Sequence, residues 1–134
     1  MTNPVEVVLK FLEKINEHDV DGLVSLMSEQ HVLVDSLGNR LQGRDNLKAG
    51  WHAYFKMCPD YAVSHEEIFD HGNIVVVFGS AGGTIAEKEA ELKAENRWRI
   101  PAAWMATVTG GKLVEWRVYA DNKPVYEILK RLKS

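Results

Sequence analysis

The side chains best suited to building a site in this chain are aromatic. Trp51 and Tyr54 share one face of a run with helical spacing, together with Leu47, Phe55 and Cys58. Trp104 and Trp116 fall on two alternating runs. Trp98, Ile100, Ala102, Trp104, Ala106 and Val108 share a face on the first, and Val114, Trp116, Val118 and Ala120 on the second. Small residues between large rings leave room, so Trp51, Tyr54, Trp104, Trp116 and Val118 could line an apolar pocket for a small molecule. The same residues could equally interdigitate as an ordinary core.

Other chemistry is thinner. His65, Glu66, Glu67 and His71 have a metal-binding composition. Their spacing is not that of a helical zinc site, and the segment reads as a strand, so no metal is expected. His31 and His52 are secondary candidates for the pocket, the latter because it neighbours Trp51. Cys58 is the single cysteine, which excludes an intramolecular disulfide and reads as a small hydrophobe at a helix end. Neither a glycine-rich phosphate loop nor a nucleophile elbow is present in the sequence, and no cofactor is expected.

These residues need elements to position them. Asn3 as N-cap, Pro4 at the first helical position and Glu6 in a capping box open a first helix, with Val5, Val8, Leu9, Leu12 and Ile15 at helical spacing. Residues His18 and Asp19 end it, and Asp19 can cap a short second helix with Leu23, Leu26 and Met27 as its apolar face. A brief strand over 31–35 is broken by the turn at 36–39. A third helix over 44–57 is stopped by Pro59. Strands over 63–69 and 74–79 flank a turn at 71–73, and strands over 98–108 and 113–120 flank a second turn at 109–112. The charged segment 86–96 reads as an exposed loop. A last helix has Pro124 in its first turn and Val125, Ile128, Leu129 and Leu132 on its apolar face. Helices followed by consecutive antiparallel strands indicate an α+β fold in one domain over residues 1–134.

Composition narrows the function. The chain has 134 residues, a net charge of -3 and 46% hydrophobic residues, enough for one normal core. No basic stripe is present, which argues against a nucleic-acid partner. No apolar stretch is long enough to span a bilayer, and the N-terminus lacks the pattern of a signal peptide, so a cytoplasmic location is expected.

Three segments carry a family resemblance. Trp116-Arg117-Val118-Tyr119-Ala120-Asp121 after Gly111-Lys112 resembles the final strand of SnoaL-like polyketide cyclases and limonene epoxide hydrolases. The segment from Val32 to Gly38 resembles the strand and turn that carry the catalytic aspartate of ketosteroid isomerases, and Gly43-Arg44-Asp45-Asn46-Leu47 the start of the third helix throughout this superfamily, which includes nuclear transport factor 2. The order of elements matches over nearly the whole chain. The resemblance implies a cone-shaped α+β fold: N-terminal helices packed on a strongly curved mixed or antiparallel sheet, a C-terminal helix, and a pocket open at one end. It often implies a homodimer through the outer sheet face, which Arg117 and Tyr119 would suit.

By the same resemblance, Asp35 matches the general base of ketosteroid isomerase. A carboxylate against apolar walls can move a proton between carbons, while a turn aspartate bonding its own backbone is the plainer reading. The isomerase's first-helix tyrosine matches Phe11, which lacks the hydroxyl but joins the expected pocket, and its late acid falls near Trp104 or Ala103. Losing oxyanion donors typically removes about 3 kcal/mol each of transition-state stabilisation, which argues against steroid isomerisation. Asp121 matches the acid or base of SnoaL-like cyclases, although alternation places it with Arg117 and Tyr119, away from the apolar face. The Asp-Arg-Asp set of the epoxide hydrolases has no counterpart in Phe78-Gly79-Ser80-Ala81-Gly82. The expectation is a small-molecule pocket. It would serve either a cofactor-independent general-base isomerase or aldol cyclase acting on an apolar carbonyl-containing ring compound, or a non-catalytic module binding a small ligand or a protein.

Overall fold

The structure is a computed structural model and describes residues 3–88 and 91–133. The first helix, α1 (Pro4–Glu17), starts where Asn3 accepts a hydrogen bond from the Val5 amide and ends at His18, the one non-glycine residue described with positive φ. Its buried face is Val7, Val8, Phe11, Leu12 and Ile15. Leu9, expected inward, lies more than a quarter-turn from the centre of that stripe and is exposed. Helix α2 (Val20–Ser25) is capped by Asp19, whose carboxylate accepts from the Gly22 amide.

Strand β1 (Met27–Val34) begins earlier than its alternation suggested, and an exposed strand β2 (Arg40–Gln42) returns beside it. Only three residues long, β2 carries too few alternations to be read from sequence. Helix α3 (Arg44–Met57) has the expected bounds and buries Leu47, Trp51 and Phe55. The hairpin β3 (Ala62–His71) and β4 (Ile74–Thr84) turns at Gly72, where φ is +62°. After a loop and a 3-10 turn at Ala94–Asn96 come β5 (Arg97–Thr109), β6 (Lys112–Ala120) and α4 (Lys123–Lys133).

Six strands form one open sheet in the order β2-β1-β6-β5-β4-β3. It is mixed, because β1 runs parallel to β6 while every other neighbour is antiparallel. The fold is thus α+β, with α1 to α3 and the C-terminal α4 packed on a curled sheet. Three register slips aid the bending: in β3–β4 between His65 and Glu67, in β5–β6 at Val108, and in β1–β6 between Met27 and Val32. The second slip corrects the expected alternation. Val114 drops out of the pairing, so Leu113 and Trp116, three residues apart, both turn inward and are buried, whereas Val114 is half-buried.

The inner sheet face and the helices enclose one core, in which Phe11 and Trp116 are nearly inaccessible and their rings sit 4.8 Å apart. Each fully buried side chain of this kind contributes roughly 1.5–3 kcal/mol. Toward α4 the packing is looser, and there the core opens into a cavity.

Candidate functional site

The cavity has a volume of about 320 Å³ and lies between α3, the inner faces of β5 and β6, the turn after β1, and α4. All four tryptophans of the chain line it: Trp51, Trp98, Trp104 and Trp116. Trp104 and Trp116 stack with centroids 6.2 Å apart and planes 20° from parallel. They come from adjacent strands, where Trp104 faces Val118 across the ladder and Trp116 faces Ala106. Ala102, Ala81, Ala120 and Gly50 also line the space. The small residues leave between the rings the room that their spacing suggested. Tyr54 on α3 and Val118 on β6 line it too, together with Tyr61 and Tyr126.

Phe11 does not line it. The ring packs behind Trp116 and beside Trp51 (6.2 Å) as part of the core, so its place in the expected pocket is corrected. Helix α1 points that face at the back of the wall.

At one end the cavity adjoins a shallow surface groove, and the two share Ser36, Ala120, Asn122 and Tyr126. This end is polar. Asn122 donates from Nδ2 to Ser36 Oγ at 2.7 Å, tying the chain just before α4 to the β1–β2 turn. Asp35 also lines the cavity, yet its carboxylate is engaged in the turn. Oδ1 accepts from the Leu37 amide at 3.0 Å and the Asn39 amide at 2.9 Å, and Oδ2 accepts from Asn39 Nδ2 at 3.1 Å. Asp35 thus lies on the cavity wall while its carboxylate holds the turn. Gly38, at φ +86°, makes that turn possible.

Asp121 is placed outside. It is exposed, lines only the surface groove, and accepts from the Lys123 amide at 3.0 Å at the start of α4. Strand alternation prevails over the twist that could have turned it inward, so the expectation of Asp121 as a cavity acid or base is corrected.

The histidines also stay out of the cavity. His31 is fully buried, with Nδ1 2.8 Å from the Leu113 carbonyl. A carbonyl only accepts, so Nδ1 carries the proton and Nε2 is left unpartnered. Burial holds the His31 imidazole below its ordinary pKa, opposed by the Leu113 carbonyl and the charge of Glu115. His52, His65 and His71 are exposed, and no group of three or more metal-ligating side chains occurs among the described residues. Burial, aided by the Asp60 carboxylate, pushes the Cys58 thiol up to about 11, so it is not a ready nucleophile.

Sequence reading missed Ser36, Tyr61, Asn122 and Tyr126 as lining residues. Asn122 and Tyr126 sit before and on a helix that packs back over the sheet, a tertiary fact with no local signature. Tyr61 follows Pro59 in a loop and has no periodicity to be read.

Comparison with known proteins bears on the architecture just described. The model of the SnoaL-like domain matches residues 8–116. The chain belongs to the SnoaL-like domain family. No curated protein matches the sequence. Among solved structures, a candidate SnoaL-like polyketide cyclase from Shewanella denitrificans superposes with a TM-score of 0.81 at 16% identity, covering 96% of this chain and 97% of that one. A protein of ketosteroid isomerase-like fold from Catenulispora acidiphila, solved in complex with trimethylamine, gives 0.79 at 20% identity, covering 92% and 91%. An LEH-like epoxide hydrolase from M. tuberculosis gives 0.77 at 17% identity, covering 96% and 90%. At these identities the likeness establishes the fold and no activity. No helix among the described residues is long and apolar enough to cross a membrane.

Proposed function

We propose that this SnoaL-like domain binds a small, largely apolar ring compound in the cavity beneath α3. The observation that carries this reading is the lining: four tryptophan rings and small residues around about 320 Å³, with polar groups gathered at the open end. Apolar walls with a few polar groups at one side are the usual make-up of a small-molecule site of roughly 300–1,000 Å³. The Catenulispora relative, solved with the small organic molecule trimethylamine, lends support to a small-molecule role.

Because every tryptophan lines the cavity, intrinsic fluorescence reports on occupancy. Titration with naphthalene-sized ring compounds should quench it saturably. Ala102→Leu would place a larger side chain in the cavity and should weaken binding roughly tenfold or more without lowering the melting temperature. Quenching that is linear and unsaturable, or unaffected by Ala102→Leu, would rule the reading out.

A second reading is favoured by one observation: Asp35, the only carboxylate lining the cavity among the described residues, keeps Oδ2 bonded to a single donor. There it could take a proton from the carbon beside a ketone. The enolate formed would regain a proton at another carbon, which is isomerisation, or attack a second carbonyl carbon, which is aldol closure. Three hydrogen bonds already engage the carboxylate, so it would have to release one to meet a substrate. Hydrogen–deuterium exchange at the α-carbon of a bound ketone, followed by NMR, tests this. Exchange catalysed by the protein should disappear in Asp35→Asn; exchange that persists there, or none at all, leaves only the binding role.

A further inference from the structure

The cavity and the shallow groove outside it meet at Ser36, Ala120, Asn122 and Tyr126. Ser36 belongs to the turn after β1, whereas the other three belong to the end of β6 and the start of α4. Passage from groove to cavity therefore runs between that turn and the first turn of α4. Its two sides are joined by the hydrogen bond from Asn122 Nδ2 to Ser36 Oγ, 2.7 Å long. Atoms that close leave no gap between them, and both residues are half-buried.

We propose that the Ser36–Asn122 bond is a clasp across the mouth of the cavity, which parts to let a ring compound in or out and so sets the rate of exchange. This rests on the binding reading above and adds how the site is loaded.

Three observations lead there. The first is that the bond does nothing for the helix it precedes. A side chain just before a helix ordinarily caps it by accepting from an amide two or three residues on. Asn122 instead gives only its backbone carbonyl to the Tyr126 amide, at 3.0 Å, and turns its side chain across to Ser36. The Lys123 amide is met by Asp121. The second is that the turn is held without it, by the three donors on Asp35 and by the pairing of β1 with β2. The third is that α4 has other anchors. Val125 and Ile128 are buried beneath it, and Arg131 donates from Nη2 to the Glu95 carbonyl at 3.1 Å and to Asn96 Oδ1 at 2.7 Å. The clasp can thus part while both of its sides stay folded.

A clasp has a kinetic signature. A bond that is made in the free and the filled protein alike, and broken only during passage, slows entry and exit by the same factor and leaves affinity unchanged. A bond that held the ligand itself would act on exit and on affinity. Both groups here are neutral, so the factor is that of one ordinary hydrogen bond.

The experiment follows tryptophan quenching by 1-nitronaphthalene in a stopped-flow instrument, in the unmodified protein and in Ser36→Ala, Asn122→Ala and the double variant. Each single variant should raise both the association and the dissociation rate constant about fivefold, with Kd unchanged. The double variant should be no faster than the singles, because all three lose the same bond. Ser36→Ala leaves the backbone around α4 untouched, so it decides the matter even where Asn122→Ala fails to fold. Unchanged rates in Ser36→Ala place the mouth elsewhere and overturn the clasp. A weaker Kd with an unchanged association rate overturns it too, because Ser36 then holds the ligand directly. Effects that multiply in the double variant show that the two residues do not act through their shared bond. If 1-nitronaphthalene gives no saturable quenching in the unmodified protein, the binding reading falls and takes the clasp with it.

Discussion

Asp35 carries two duties that pull against each other. Three donors on its carboxylate fasten the turn after β1, while its position on the cavity wall makes it the only acid an occupant can meet among the described residues. Asp35→Ala should cost about 1–2 kcal/mol of stability through the lost backbone bonds, read as a lower urea midpoint. His31 has one duty. It is neutral, buried and bonded to Leu113, and its folded pKa lies below that of the unfolded chain. As pH falls below about 6.5, the unfolded chain takes up the proton first. The stability His31 contributes is therefore full above that pH and is lost progressively as pH drops toward the lowered folded value. His31→Asn, which keeps a donor for the Leu113 carbonyl, should be less stable at pH 7.5 but lose less on going to pH 5. Equal slopes for both proteins in a pH series of urea titrations would refute the assignment.

At the scale of elements, the places where the chain bends matter more than its straight runs. The register slip in β6 lets Leu113 face the core together with Trp116; without it the alternation would put Val114 there instead. The slip in β3 sits opposite Gly79, where an added Cβ would collide with the Ser64 carbonyl. No flexible side chain can yield there, so Gly79→Ala should cost about 1–3 kcal/mol by forcing backbone to move. Gly110, whose Cβ would meet open space but whose φ is +59°, offers a contrast. Gly110→Ala should strain only its own turn, at about 1 kcal/mol. Chemical denaturation of the two variants separates steric from dihedral cost. Helices behave more simply. Asn3, Asp19 and the run 44–57 were legible because caps and stop signals act within a few residues.

For the whole molecule, the open question is what covers the outer face of the sheet. Phe69 (58% exposed), Phe78 (47%) and Tyr119 (53%) stand there, and the first two rings touch at 6.2 Å. Phe78 and Tyr119 both flank Ala103 in the ladder, so they share one surface. The homodimer implied by family resemblance is proposed to pack through this patch, since large contiguous apolar surface is uncommon on a monomer. Sedimentation equilibrium should find a dimer, and Phe78→Asp should shift it to monomer with the melting curve of the folded chain retained. A monomer before any substitution would dispose of the proposal.

What the sequence determined by itself was whatever acts locally or by strict period: the helix caps, the bounds of α3, the hairpins at Gly72 and Gly110, and the alternation that put Trp98, Trp104 and Trp116 on the inner face. Those were enough to anticipate aromatic walls with gaps between them. Tertiary structure alone decided that the gaps stay open, that Phe11 fills the back of the wall, and that Asp121 stays outside. It also decided that Tyr61 and Asn122, from a loop and a helix start, reach the same cavity. The reason is physical. Whether two rings leave a void or close it depends on the angle at which a helix meets a bent sheet. That angle is set by long-range packing and by the register slips in the sheet, and neither leaves a signal in the residues beside it.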